Sequence, residues 1–289
     1  MSTQSFNPTI WAAALMKGFY NEHVFRTCVN RDYEGEIKGQ GSTVRINSMG
    51  PITIRDFTRN SDIDAPDTLN MSDLALVIDQ AKYFHYGVDD VDKRQARGDF
   101  MGMASKEASE AVAEVVDDFI ASTINTGVDG TTNDVTNGTP LTVGQGASEK
   151  DAYGILVALK VKLDEANVPM AGRWAVMPPF FEGMLRLDSR FVAFGTPANR
   201  DVAKGDAIGR LANFNVLISN NCPAGASSSK VVLAGIPGAV TFADQLEEMS
   251  AYKPERRFGD AIKGLHVYGA KVTRPNCLAA AEVLAGQYY

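Results

Sequence analysis

The chain has 289 residues, 45% of them apolar and 22% charged, which is enough apolar material for one large domain or two smaller ones. A formal net charge of −7, with no dense run of Lys or Arg, argues against nucleic-acid binding by phosphate neutralisation. The lack of any stretch of about 18 apolar residues argues against a spanning helix.

The first residues, MSTQSFNPTIWAAALMKGFYNEH, lack the basic start and pure apolar core of a signal peptide. Cys28, Cys222 and Cys277 lie far apart, without a CxxC pair, which fits a reduced, cytosolic setting better than a disulfide framework. From Pro8 to Val29 the apolar positions Ile10, Ala14, Phe19, Val24 and Phe25 suggest one helix, weakened at Gly18. Two readings stay open: an arm lying on something else, or an ordinary helix packed on its own domain.

Residues 39–88 change character. Val44 and Ile46 alternate with polar neighbours, as do Ile52 and Ile54, with Met49-Gly50-Pro51 between them. A charged patch follows from Thr58 to Asp67. LALVIDQAKYFHYGV then returns in extended form, with Phe84, Tyr86 and Val88 on one face and Tyr83 and His85 on the other. The stretch reads as a long two-stranded excursion with a charged middle. A lone ribbon is marginal in water, and its middle is too polar for a core, so the expectation is that it lies on a neighbouring chain.

VDDVDKRQARGD leads into the longest periodic segment, Asp99 to Asn125. Ala104, Ala108, Ala111, Val115 and Phe119 recur there at steps of three and four, with Val112, Val116 and Ile120 beside them. Asp99 offers an N-cap. At about 1.5 Å per residue this helix would run roughly 35–40 Å and act as a spine. Next comes a Gly/Thr/Asn-rich loop, and Ser148 opens a second helix with Leu156, Leu159, Leu163 and Ala166 as its buried stripe. Val168-Pro169 stops that helix, RWAVM is a short buried strand, and Pro178-Pro179 starts a further helix through Leu187. The last third alternates strands with Gly/Pro/Asn turns: Phe214 to Ile218, Lys230 to Leu233, Ala239 to Phe242, and Leu265 to Arg274, a long strand able to pair with an earlier one.

No residue set makes a convincing reactive site. His85 with Asp89, Asp90 and Asp92 has the residue types of a metal site, yet capping of a helix start explains the carboxylates. Glu107, Glu110, Glu114 and Asp117 form an acidic stripe on the spine, read as solvated or partner-facing. Gly39-Gln-Gly41 lacks the context of a dinucleotide site, and Walker A, GxSxG and HExxH patterns are absent. No catalytic residue, cofactor or metal is expected.

The order of elements is informative. A helical arm, a charged hairpin, VDDVDKRQA, a spine helix and a shorter helix leading to RWAVMPPFFEGMLRLDSRF resemble the tailed-bacteriophage major capsid proteins, whose fold is named after the Hong Kong phage and recurs in encapsulins. The resemblance covers most of the chain as pattern, most sharply from Arg173 to Phe191. It implies an α+β phage major capsid fold with an N-terminal arm (1–30), an extended β-hairpin loop and lead-in (31–88), a peripheral domain with the spine helix (89–194), an axial domain (195–262), and a return strand of the peripheral domain with the C-terminus (263–289).

By the same resemblance the chain would be a non-enzymatic coat protein that assembles with itself, as pentamers and hexamers, into the icosahedral shell of a double-stranded DNA phage. It would act in the virion after assembly in the host cytoplasm. Inter-subunit contacts would come from Trp11 and Phe19 of the arm and from Ile52, Ile54, Arg55, Asp56, Arg59, Asp62 and Asp64 of the loop. Partners would be a separate scaffolding protein, a portal and a decoration protein, with packaged DNA touched only non-specifically and no membrane. An acidic balance suits a shell that must not adhere to the DNA inside it. Some members cross-link a loop lysine to a neighbour's asparagine, but residues 42–80 contain no lysine, so no such bond is expected here. Some members also begin with a cleaved scaffolding segment. This chain starts almost at the arm, so the scaffold would be a separate protein or the segment has been removed. An encapsulin-like cargo compartment is the near alternative, and a cytosolic α+β enzyme with an unfamiliar site the distant one.

Overall fold

The computed structural model describes residues 24–33, 41–49, 54, 56, 59, 62, 71–89, 100–130, 133–144, 146, 149–187, 209–254 and 259–286. Its framework is one long helix, α1 (Phe100–Gly127), lying between two sheets. At 28 residues, α1 is about 42 Å long.

The first sheet has three antiparallel strands in the order β3 (Gln80–Asp89), β10 (Gly259–Val272), β9 (Val240–Tyr252). The long alternating C-terminal strand does pair with an earlier segment, through registers such as His85 with Lys263 and Ala81 with Val267. A two-stranded ribbon, β1 (Thr43–Met49) with β2 (Met71–Val77), stands beside this sheet. The expected excursion therefore ends at Val77. Residues 80–89 do not belong to it and instead form the edge of the three-stranded sheet. Both stretches alternate with period two, and alternation cannot tell which partner a strand will find.

The second sheet has six strands in the order β4 (Leu141–Val143), β11 (Leu278–Ala285), β8 (Lys230–Gly235), β5 (Trp174–Met177), β7 (Phe214–Ile218), β6 (Arg210–Leu211). Pairing is parallel between β11 and β4 and between β5 and β7, and antiparallel elsewhere. Both faces are covered. Ala175 and Met177 of β5, Val232 and Ala234 of β8, and Ala279 and Ala281 of β11 meet α2 (Ala152–Glu165) and α3 (Pro179–Leu187). The alternate residues Trp174, Val176, Val231, Leu233, Leu278 and Ala280 face α1. A sheet buried on both faces wants unbroken apolar strands, which explains why WAVM, VVLAG and LAAA show no polar alternation.

This sheet cuts across the boundaries expected at 194/195 and 262/263. It joins 174–177, 210–218, 230–235 and 278–285, whereas 240–252, expected with the axial segment, pairs with β10. Chain order hid this because consecutive segments serve different sheets.

The buried stripe of α1 also differs from the expected one. Ala113, Val116, Ile120, Ala121 and Ile124 are buried, while Val115 is 43% exposed. The apolar positions cover more than half the circumference, so periodicity gives a helix without fixing its rotation. The second helix begins at Ala152 with Asp151 at the N-cap, later than Ser148, and buries Ile155, Leu156, Leu159 and Leu163, with Ala166 partly buried. It ends where Asn167 takes a positive φ of 56° and the Val168 N–H reaches the Leu163 carbonyl at 3.0 Å, with both Leu163 and Val168 buried in the same core. Among the described residues, no helix is long and apolar enough to cross a membrane.

Candidate assembly surfaces

The ribbon's root and the described residues of the connection between its strands differ in character. At the root, Val44, Leu76 and Ile78 are buried against Ala243 and Val267 of the three-stranded sheet, with Ile46, Ala81 and Leu265 partly buried around them. The root therefore folds on its own domain. On the solvent side Arg45 and Asp73 form an exposed ion pair at 3.7 Å, worth well under about 1 kcal/mol.

Beyond the root, Ile54 is 95% exposed, and Asp56, Arg59 and Asp62 are exposed as well. An isolated exposed isoleucine is common. One in the connection between two ribbon strands, with exposed Asp56, Arg59 and Asp62 close by in sequence, has the make-up of an interface anchor with a polar rim. Trp11, Phe19, Ile52, Arg55 and Asp64 lie outside the described residues. So do residues 188–191, the end of the Arg173-to-Phe191 stretch, and most of the Pro8–Val29 helix.

Residues 24–30, the described end of that N-terminal segment, are not a helix lying on a surface. Phe25–Cys28 forms a 3-10 turn, and Phe25, Cys28 and Val29 are buried against α1 and the sheets. The Asp117 carboxylate accepts a hydrogen bond from the Val24 N–H at 3.0 Å. Asp117 is thus a buried anchor and not part of a solvated stripe. The rest of that stripe stays accessible, with Glu107 and Glu114 exposed and Glu110 paired to Lys106 at 3.4 Å.

Of the residues weighed for metal chemistry, Asp90 and Asp92 lie outside the described residues. The His85 ring nitrogen lies 2.8 Å from the Tyr252 hydroxyl and the two rings stack at 5.9 Å. Among the described residues, no group of three His, Cys, Asp or Glu side chains could hold a metal ion. Burial pushes the Cys28 and Cys222 thiols up to about 12, which removes both as nucleophiles at neutral pH.

Two buried charge clusters escaped sequence reasoning. Arg26 donates to Asp244 at 2.8 Å, with His266 3.1 Å from the other oxygen of the same carboxylate. Arg173 sits beneath the α2–β5 turn against Asp164. Nothing in the spacing of either set marks it, because each joins residues by tertiary contact alone.

A family model described as phage capsid protein matches residues 74–281. Among solved structures, one from Mycobacterium phage Che8 is 26% identical, with 90% of each chain covered and a TM-score of 0.70. The capsid of cyanophage P-SCSP1u is 16% identical, covering 93% of this chain and 88% of that one at a TM-score of 0.68. A virus-like particle from Pyrococcus furiosus shares the fold at 13% identity, with 93% and 96% covered and a TM-score of 0.55. A search of curated proteins finds no match. The match spans the ribbon's second strand, the spine and strands of both sheets, and the chain belongs to the phage capsid protein family, as a major capsid protein of the tailed-phage type.

Proposed function

We propose that this subunit assembles as pentamers and hexamers into an icosahedral shell around double-stranded DNA, and that the ribbon tip and the N-terminal segment are laid over neighbouring copies. Family membership supports self-assembly into a virion capsid and a structural rather than catalytic role. The observation that carries the finer reading is Ile54, 95% exposed in the connection between the two strands of a ribbon whose root is buried. A neighbour's apolar surface would bury it, and Arg55, Asp56, Arg59, Asp62 and Asp64 would set register around that contact. Trp11 and Phe19 would do the same for the arm.

In this reading the six-stranded sheet with α2 and α3 forms the axial unit, and α1 with the three-stranded sheet forms the peripheral unit. A separate scaffolding protein, a portal and a decoration protein complete the head, which is assembled in the host cytoplasm. Contact with packaged DNA is non-specific, as the net charge of −7 favours. No observation favours a cargo compartment over a phage head.

Negative-stain microscopy and light scattering on the purified chain test this, alone and co-expressed with a scaffolding protein. Closed particles, tubes, sheets or five- and six-membered rings are expected. A chain that stays monomeric under every one of these conditions overturns the reading. Boiling the shells in SDS is expected to release monomers, given the lysine-free loop.

A further inference from the structure

We propose that Asp244 is the latch that seats the root of the N-terminal segment, and that residues 24–30 form a separable plug that leaves its seat while the two sheets stay folded. Five polar and cation–π contacts hold this short stretch, one from α1 and four from β9. The Val24 N–H donates to Asp117 on α1. The Arg26 guanidinium donates to Asp244 on β9 and lies over the Phe242 ring at 5.7 Å. The Asn30 N–H donates to the Val240 carbonyl at 2.8 Å, and the Phe242 N–H donates back to the Asn30 carbonyl at 2.9 Å. The plug thereby adds one parallel bridge to the start of β9.

Phe25, Cys28 and Val29 add apolar contact with the core, and the charged part of the attachment is buried as well. The Arg26 and Asp244 side chains are 3% and 7% exposed. Removing one partner from such a pair leaves an uncompensated charge out of water, so the hold is all-or-none rather than gradual. His266, on β10, shares the Asp244 carboxylate and stacks on Tyr268 at 5.2 Å. That second donor keeps the carboxylate aimed at the plug when Arg26 leaves, so the seat stays formed for re-entry. Asp244 is thus a positioning residue: it fixes where the chain departs from the core and in which direction. Bonds confined to so few residues form a unit that can open below the global unfolding free energy.

The functional side of this inference rests on the reading of residues 1–30 as an arm, whereas the latch itself is testable on unassembled subunits. Amide hydrogen exchange is measured on the full wild-type chain and on Arg26→Met and Asp244→Asn. Wild-type amides of Asn30 and Phe242 are expected to exchange faster than those of Ile120 and Leu233. Both variants are expected to accelerate Asn30 and Phe242 a further tenfold to a hundredfold, roughly, with Ile120 and Leu233 unchanged. Arg26→Lys is expected to restore part of the protection. Uniform loss of protection at all four amides would show that the plug is part of the global core. Unchanged exchange at Asn30 and Phe242 in folded variants would show that Asp244 is not the latch. Either result overturns the proposal. Particle formation by the same variants tests the arm reading separately: latch variants that exchange as expected yet assemble normally would sink the arm's role and leave the latch standing.

Discussion

Arg173 is sealed beneath the turn that follows α2, with its guanidinium 2.7 Å from the Asp164 carboxylate. Its remaining nitrogens donate to the Val168 carbonyl at 2.6 Å and the Pro169 carbonyl at 3.0 Å. One side chain thus pairs with the carboxylate near the helix C-terminus and satisfies two carbonyls of the turn that follows the helix. Replacing Arg173 with Leu strands all three groups, and a loss of about 2–4 kcal/mol in chemical denaturation is expected. Asp164→Asn, which keeps the shape and touches water, should cost less.

The same pair predicts an acid dependence. The hydrogen bond from Arg173 holds the Asp164 carboxyl below its usual range, against partial desolvation and with help from Lys160. A carboxyl depressed on folding contributes stability that is fully present above its unfolded value of about 3.9, and that stability is lost as pH falls through the folded value. The wild-type chain should therefore lose more stability below about pH 4 than Asp164→Asn does. Parallel acid titrations followed by circular dichroism check this, and equal losses in the two chains would sink the idea.

Ile52→Asp with Ile54→Asp separates folding from assembly. With Ile54 95% exposed, its substitution should move the unassembled subunit's stability by no more than about 0.5 kcal/mol. Particle formation should be abolished. Normal particles from this double variant would remove the ribbon tip from the interface.

Gly269 sits against the point where the ribbon meets the sheet. A methyl group there would stand 2.4 Å from the Val77 carbonyl oxygen and 3.1 Å from the Ile78 Cα, both backbone atoms with no rotamer to escape by. Gly269→Ala should destabilise the subunit by about 1–3 kcal/mol. It should also change hydrogen exchange most at residues 76–78, next to the inserted methyl.

Thiol labelling should follow burial. Cys28 and Cys222 are buried with their thiols raised to about 12, whereas Cys277 is only half-buried and less perturbed. A maleimide at pH 8 should label Cys277 first in the native chain, Cys28 more slowly through opening of the 24–30 plug, and Cys222 only after unfolding. Early labelling of Cys28 would show that the turn at 25–28 opens readily.

What the sequence made legible were the parts governed by local pattern. The spine, α2 with its Leu156, Leu159 and Leu163 stripe, the WAVM strand and the Pro-started helix after it follow from periodicity and end signals. What escaped it was pairing at a distance. Tyr83 and Ile46 sit in equally regular alternations, yet one belongs to a sheet edge and the other to the ribbon. Asp117 looked like one more surface carboxylate, and only the fold brings the Val24 N–H to it. Of the expected contact residues, Ile54, Asp56, Arg59 and Asp62 are exposed, as an interface reading needs.

Only Ile78 and Asp79 separate the ribbon's second strand from β3. Ile78 is fully buried, and its backbone bonds Gly41 and Ser42 at 2.9 and 3.0 Å. A pull on the ribbon therefore reaches the sheet with almost no slack. The ten residue pairs joining β3 to β10 would then carry it together rather than one at a time. A subunit wired this way turns tension from its neighbours into strain across its own sheet, as a mooring line bolted to the keel loads the whole hull.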